Sequence, residues 1–112
     1  MKAPTESSLV KACLAYLQLA KVPAWRNNCG AAAFAGPAGR KRFVRFAVEG
    51  CSDIIGILPG GKFLAVEVKK PGGKLTAAQA AFLDNVRAAG GLGIVVRSVD
   101  DLAAALRLEG AL

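Results

Sequence analysis

Ser52-Asp53-Ile54-Ile55-Gly56-Ile57-Leu58-Pro59-Gly60-Gly61-Lys62-Phe63-Leu64-Ala65-Val66-Glu67-Val68-Lys69 is the stretch that decides the fold. Two apolar runs flank Pro59-Gly60-Gly61, the pattern of a β-hairpin. A three-residue loop pairs Leu58 with Lys62 and thereby sets Asp53 directly opposite Glu67. Opposed residues carry their Cβ atoms roughly 4.5 to 5.5 Å apart, where like charges are destabilising unless a proton or a cation lies between them. A hard divalent cation resolves that conflict. Mg²⁺ takes one or two carboxylates and completes its shell with water and phosphate oxygens, and this hairpin offers two acids. A two-residue loop shifts the register by one and separates the pair.

Lys69 lies two residues beyond Glu67 and projects from the same face of the same strand. An ammonium there can orient water or offset charge on a phosphoryl transition state, and phosphodiester hydrolysis uses both functions. The competing reading of Glu67-Val68-Lys69 is an ordinary ion pair at a strand end.

Outward from the hairpin, the pattern gives a helix on each side. Val10, Cys13, Leu14 and Leu17 recur at helical spacing over residues 5–20, and Pro23 keeps that helix from running on. At about 100° per residue Glu6 falls on the line of Val10, Cys13 and Leu17, at the inward edge of the apolar stripe. The alternative is a first-turn acid favoured by the helix dipole. Downstream, Thr76-Ala77-Ala78-Gln79 is a capping-box pattern opening a helix to about Ala89, with Phe82, Leu83 and Val86 as its apolar face and Gly90-Gly91 as its stop. Leu92 to Arg97 reads as a buried strand, and Ser98 caps a last helix with Leu102 and Leu106 inward. Between the first helix and the hairpin, residues 24–27 read as a short strand and residues 42–48 as a basic strand. Residues 28–39, rich in Ala and Gly and broken by Pro37, are expected to carry no regular structure. The order α, several β, α, β, α is that of an α/β domain with a mixed sheet, the strand after the middle helix running parallel to its neighbour.

The 112 residues hold 54% hydrophobic and 21% charged side chains, so one folded domain over 1–112 is expected and a disordered chain is not. There is no histidine, which removes Ser-His-Asp triads, Cys-His dyads and most zinc enzymes. Cysteines 13, 29 and 51 are odd in number, widely spaced and without a Cys-x-x-Cys pair, so neither a disulfide framework nor a zinc knuckle is indicated. No signal-like run and no 18-residue apolar stretch occurs, and an intracellular, cytoplasmic protein without membrane association is expected. The net charge of +7 and a pI near 9.8 favour a polyanion such as nucleic acid as partner. Lys41, Arg42, Arg45, Lys70 and Lys74 are the candidates for phosphate contacts, with a solvated charged edge as the competing reading. Trp25 is expected to pack half-buried rather than to stack on a base.

In combination these features resemble the VRR-Nuc family of PD-(D/E)xK nucleases. They are Glu6 on the first helix, Gly50-Cys51-Ser52-Asp53, Glu67-Val68-Lys69, and Gly72-Gly73-Lys74-Leu75-Thr76 with Gln79. Arg26-Asn27 with Gly30, and Gly90 followed by a strand and Ser98, extend the resemblance over nearly the whole chain. Ser52 stands where the broader superfamily often has proline. The resemblance implies a restriction-endonuclease-like core, Asp53 and Glu67 as ligands of Mg²⁺ or Mn²⁺, and Lys69 as the catalytic lysine. It further implies that Glu6 helps position metal or water and that Gln79 faces the active site, beside its capping-box reading. For short stand-alone members of the phage and bacterial type it implies a homodimeric endonuclease of branched DNA such as four-way junctions, leaving 5′-phosphates, with no small-molecule cofactor. A non-catalytic nucleic-acid-binding module on the same fold is the alternative.

Overall fold

The computed structural model describes residues 5–27, 30–35, 41–46 and 48–112, the segments 30–35 and 41–46 as backbone alone. The elements are α1 (Glu6–Leu19), β1 (Ala24–Arg26), β2 (Gly30–Ala35), β3 (Lys41–Phe46), β4 (Ile54–Leu58), β5 (Lys62–Val68), α2 (Ala77–Ala88), β6 (Leu92–Val96) and α3 (Val99–Leu108). Four strands form one mixed sheet in the order β1-β4-β5-β6. Its β1–β4 and β4–β5 pairs are antiparallel and β5–β6 is parallel, α2 supplying the crossover. This is an α/β fold consistent with a restriction-endonuclease-like core. Among the described residues no helix is long and apolar enough to cross a membrane.

Alternation along β4 and β5 divides the core between the two faces of the sheet. Ile54, Leu64, Val66 and Val68 pack with Leu9, Val10, Cys13 and Leu17 of α1 and with Leu102 and Leu106 of α3. Ile55 and Ala65 pack on the other face with Leu83 and Val86 of α2. The even-numbered side therefore belongs to α1 and α3, and the odd-numbered side, which includes positions 53, 67 and 69, belongs to α2.

Each helix begins where a side-chain oxygen can take up a free backbone donor. Thr5 caps α1 by accepting the Ser8 N–H, and Ser98 caps α3 by accepting the Asp101 N–H. At its C-terminus α1 closes with the Lys21 N–H on the Gln18 carbonyl at 3.1 Å and the Val22 N–H on the Leu17 carbonyl at 2.9 Å. This is the two-bond helix stop that places its turn residue in the left-handed region, and Lys21 occupies it at φ 60°.

Two expectations are corrected. The segment expected to lack regular structure holds β2, whose Gly30–Ala35 backbone pairs antiparallel with Lys41–Phe46. Strand propensity is low for Ala and Gly, and the cross-strand partner overrides it. Cys51 is disulfide-bonded, while Cys13 is free and buried. Spacing along the chain carries no information on proximity across the fold, and proximity decides disulfide formation.

Candidate active site

The loop between β4 and β5 is the three-residue turn Pro59–Gly61, and Leu58 pairs with Lys62. Gly60 and Gly61 take φ of 83° and 77°, which suits glycine and closes the turn in three residues. The ladder runs to Ile54↔Val66, and one further step sets Asp53 opposite Glu67. Asp53 is fastened there from two sides. Its Oδ2 accepts the Val68 N–H at 2.8 Å, and its carbonyl accepts the Asn27 N–H at 2.7 Å.

Glu67 is 2% exposed. Its Oε1 accepts from Gln79 Nε2 at 3.1 Å and lies 4.0 Å from Lys69 Nζ. Its Oε2 is buried with no hydrogen-bond partner among the described residues. Burial is the main force pushing the Glu67 carboxyl up to about 8; the nearby Asp53 adds to this, Lys69 opposes it, and Glu6 contributes the smallest push. A carboxylate so placed lacks positive charge on one oxygen, and a divalent cation between Asp53 and Glu67 fits that deficit. The acids converge as a facing pair rather than a cage. Among the described residues no group of three His, Cys, Asp or Glu side chains is placed to hold a metal ion.

Lys69 is buried, and its N–H donates to the Val96 carbonyl at 3.0 Å, which holds the end of β5 against β6. Gln79 reconciles its two readings. Its backbone N–H donates to Thr76 Oγ1 at 3.1 Å and its Oε1 accepts the Thr76 N–H at 2.9 Å, completing the capping box, while Nε2 is left for Glu67. Glu6 arrives from the opposite face of the sheet, in the first turn of α1. Its Oε2 accepts the Lys70 N–H at 3.4 Å and touches the site through that turn. Lys70 and Lys74 are exposed beside it. The side chains of Lys41, Arg42 and Arg45 lie outside the described residues.

Three supporting residues had no role assigned in the reading of the sequence, although Asn27 and Gly50 stand in motifs that carried the resemblance. Asn27 adds a bond from Nδ2 to the Ser52 carbonyl at 3.3 Å, beside its backbone bond to Asp53. Gly50, at φ 76°, lets the chain approach α2 so closely that a Cβ there would lie 2.3 Å from the Ala78 carbonyl carbon. Arg97 donates from Nη1 to the Lys70 carbonyl at 2.9 Å and pins the turn after β5. The signals available were a glycine ahead of the Asp53 strand and an arginine one position past β6, neither specific without the fold.

The VRR-NUC domain model matches residues 5–100, which spans every element that builds this site. The chain belongs to the VRR-NUC family. Membership implies a nuclease-type function with DNA as the partner, and nuclease domains of this kind typically need a divalent metal. No curated protein matches the chain. Within this VRR-NUC domain the five candidate residues divide by distance: Asp53, Glu67, Lys69 and Gln79 form one cluster, and Glu6 joins it through the Lys70 main chain.

Proposed function

We propose that the chain is a Mg²⁺- or Mn²⁺-dependent endodeoxyribonuclease that hydrolyses phosphodiester bonds in branched DNA as a homodimer. The observation that carries this is Glu67, a fully buried carboxylate opposite Asp53 with one oxygen unsatisfied and an ammonium 4.0 Å from the other. Asp53 and Glu67 would hold the metal, with Glu6 acting on it from the margin. A bound divalent ion supplies positive charge to the phosphate oxygens and acidity to water.

This chain's own residues do the rest. Lys69 Nζ, held by burial and by Glu67, offers a proton donor and a positive charge to the phosphate where negative charge develops during in-line attack. Gln79 Nε2 fixes the Oε1 edge of Glu67, which leaves the Oε2 edge for the metal side. Asn27 and Val68 hold Asp53 by its main chain and its carboxylate respectively. Lys70 and Lys74 place positive charge where the flanking phosphates would run, and the +7 balance strengthens encounter with DNA. A dimer follows from the task, since one domain carries one site and cutting two strands symmetrically calls for two sites about a twofold axis.

A second reading rests on the Glu67–Lys69 distance: the two charges satisfy each other and the domain only binds nucleic acid. The deciding assay is cleavage of labelled four-way junction, flap and linear duplex in Mg²⁺, Mn²⁺ and EDTA, with Asp53→Asn and Glu67→Ala alongside. The nuclease reading requires metal-dependent cutting that both substitutions abolish while DNA binding persists. Salt-sensitive binding with no cutting of any substrate supports the binding module. Sedimentation at micromolar concentration, with and without DNA, tests the dimer, and a monomer in both conditions rejects it.

A further inference from the structure

The end of β5 that leads into Lys69 lies beside the end of β6. Val68 pairs with Val96 in the parallel ladder, and the Lys69 N–H donates to the Val96 carbonyl at 3.0 Å. One further step sets Arg97 next to Lys69, with the two main chains at the usual strand spacing of about 5 Å. Arg97 is exposed and stands between β6 and α3.

Two hydrogen bonds fix how that arginine is held. Its main-chain N–H donates to Asp101 Oδ2 at 2.9 Å, and its Nη1 donates to the Lys70 carbonyl at 2.9 Å. The same carbonyl accepts the Gly73 N–H at 2.9 Å, and the Lys70 N–H is the group that Glu6 Oε2 accepts. The guanidinium is therefore anchored on the residue through which Glu6 joins the catalytic cluster.

The partner it lacks is a carboxylate. Asp101 is one hydrogen bond from its main chain, yet among the described residues Arg97 forms no ion pair, whereas Arg87 pairs with Asp84 and Lys62 with Glu109. Lys70 and Lys74, exposed on the adjoining turn, form none among the described residues either. Three cations thus stand at one margin of the site.

The bland account of Arg97 is a pin for the Lys70 turn. A pin needs one donor, and a guanidinium has five in a rigid fork. Anchoring one nitrogen on a carbonyl restricts the side chain before any ligand arrives, which lowers the cost of binding. The donors left over, without a partner among the described residues, suit two oxygens of a phosphate at once.

We propose that Arg97 binds a phosphate of the DNA strand flanking the one that is cut, anchored through Nη1 on Lys70 and grasping the phosphate oxygens with its remaining donors. The inference rests on the nuclease reading for DNA as the partner, and it deepens that reading by assigning a substrate-binding residue beyond the catalytic cluster. Lys69 acts on the phosphate that reacts, and Arg97, one strand over, holds its neighbour.

The test follows polarisation of a labelled four-way junction in EDTA, where cleavage is off, across a range of salt. Arg97→Gln should weaken binding roughly tenfold and lower the slope of log affinity against log salt by about 0.9, the loss of one phosphate contact. Arg97→Lys should restore the slope and only part of the affinity, because an ammonium keeps the charge without the fork. A structural pin predicts a lower melting temperature with an unmoved slope. An unchanged slope in Arg97→Gln overturns the proposal whatever the stability of the variant. Neutral methylphosphonates placed singly along the junction give a second check: one position should weaken the wild type and leave Arg97→Gln unaffected, and the lack of any such position also overturns it.

Wild-type cleavage of the junction in Mn²⁺ runs in parallel. Cutting with an unchanged slope removes Arg97 from the DNA surface and keeps the nuclease, and a lowered slope without cutting does the reverse.

Discussion

Replacing Glu67 by glutamine should stabilise the metal-free protein while destroying its activity, and the stabilisation should grow with pH. The folded protein binds the Glu67 proton more tightly than the unfolded chain does, since its carboxyl is pushed from 4.5 up to about 8. Below pH 4.5 both states are protonated and the native protein keeps its full stability. Between pH 4.5 and about 8 the unfolded chain loses the proton first, so native stability falls, and above that range it levels off. Each pH unit in the window corresponds to about 1.4 kcal/mol, which gives about 3 kcal/mol by pH 7 as an upper bound. Glutamine carries no such penalty. Its carbonyl can still accept from Gln79, and its amide can donate toward Asp53 in place of the like-charge contact. At about 4 °C per kcal/mol for a domain of this size, Glu67→Gln should melt about 10 °C above wild type at pH 7 in EDTA. At pH 4.5 the two should agree within about 2 °C. Thermal unfolding followed by circular dichroism across pH 4 to 9 measures this, with cleavage assayed on the same preparations. A melting difference independent of pH, or a variant less stable than wild type at pH 8, would refute the electrostatic account of the site.

Three further outcomes are expected. Lys69→Ala should lower the cleavage rate by about 10² to 10³ while leaving DNA affinity in EDTA within a few-fold, because the ammonium acts on charge that develops during reaction; equal loss of binding would assign it to the DNA surface instead. Gln79→Ala removes one arm of the α2 capping box and the Nε2 donor to Glu67, so about 1 kcal/mol of stability and a larger share of metal-dependent activity should go together, read by urea unfolding and cleavage. Gly50→Ala should destabilise by about 3 kcal/mol or more, since the added carbon meets the Ala78 backbone at 2.3 Å and φ is 76°; a melting temperature within 2 °C of wild type would show that α2 can move aside.

Much of the site was legible because a hairpin converts spacing into distance. Once Pro59-Gly60-Gly61 is read as a three-residue turn, the pairing of Asp53 with Glu67 and the shared face of Lys69 follow from period-two alternation, and the observed ladder has that register. Gln79 was legible only as two alternatives, and they prove compatible because the capping box uses its backbone N–H and Oε1 and leaves Nε2 free to reach Glu67. The roles of Asn27, Gly50 and Arg97 were illegible for a common reason. Each acts on the main chain of a segment far away in sequence, and a backbone carbonyl or a close approach leaves no mark on composition.

The sequence by itself determined the element order, the caps of the helices, the basic charge and the facing carboxylates, all consequences of local stereochemistry and short-range periodicity. Tertiary structure alone decided that β2 forms, since Ala and Gly adopt a strand only when a partner strand supplies the pairing. It also decided that Glu67 is buried with an unsatisfied oxygen, and that Glu6 reaches the site around the end of the sheet through the Lys70 N–H. Desolvation and the meeting of two sheet faces depend on every element at once, and no window of sequence contains them.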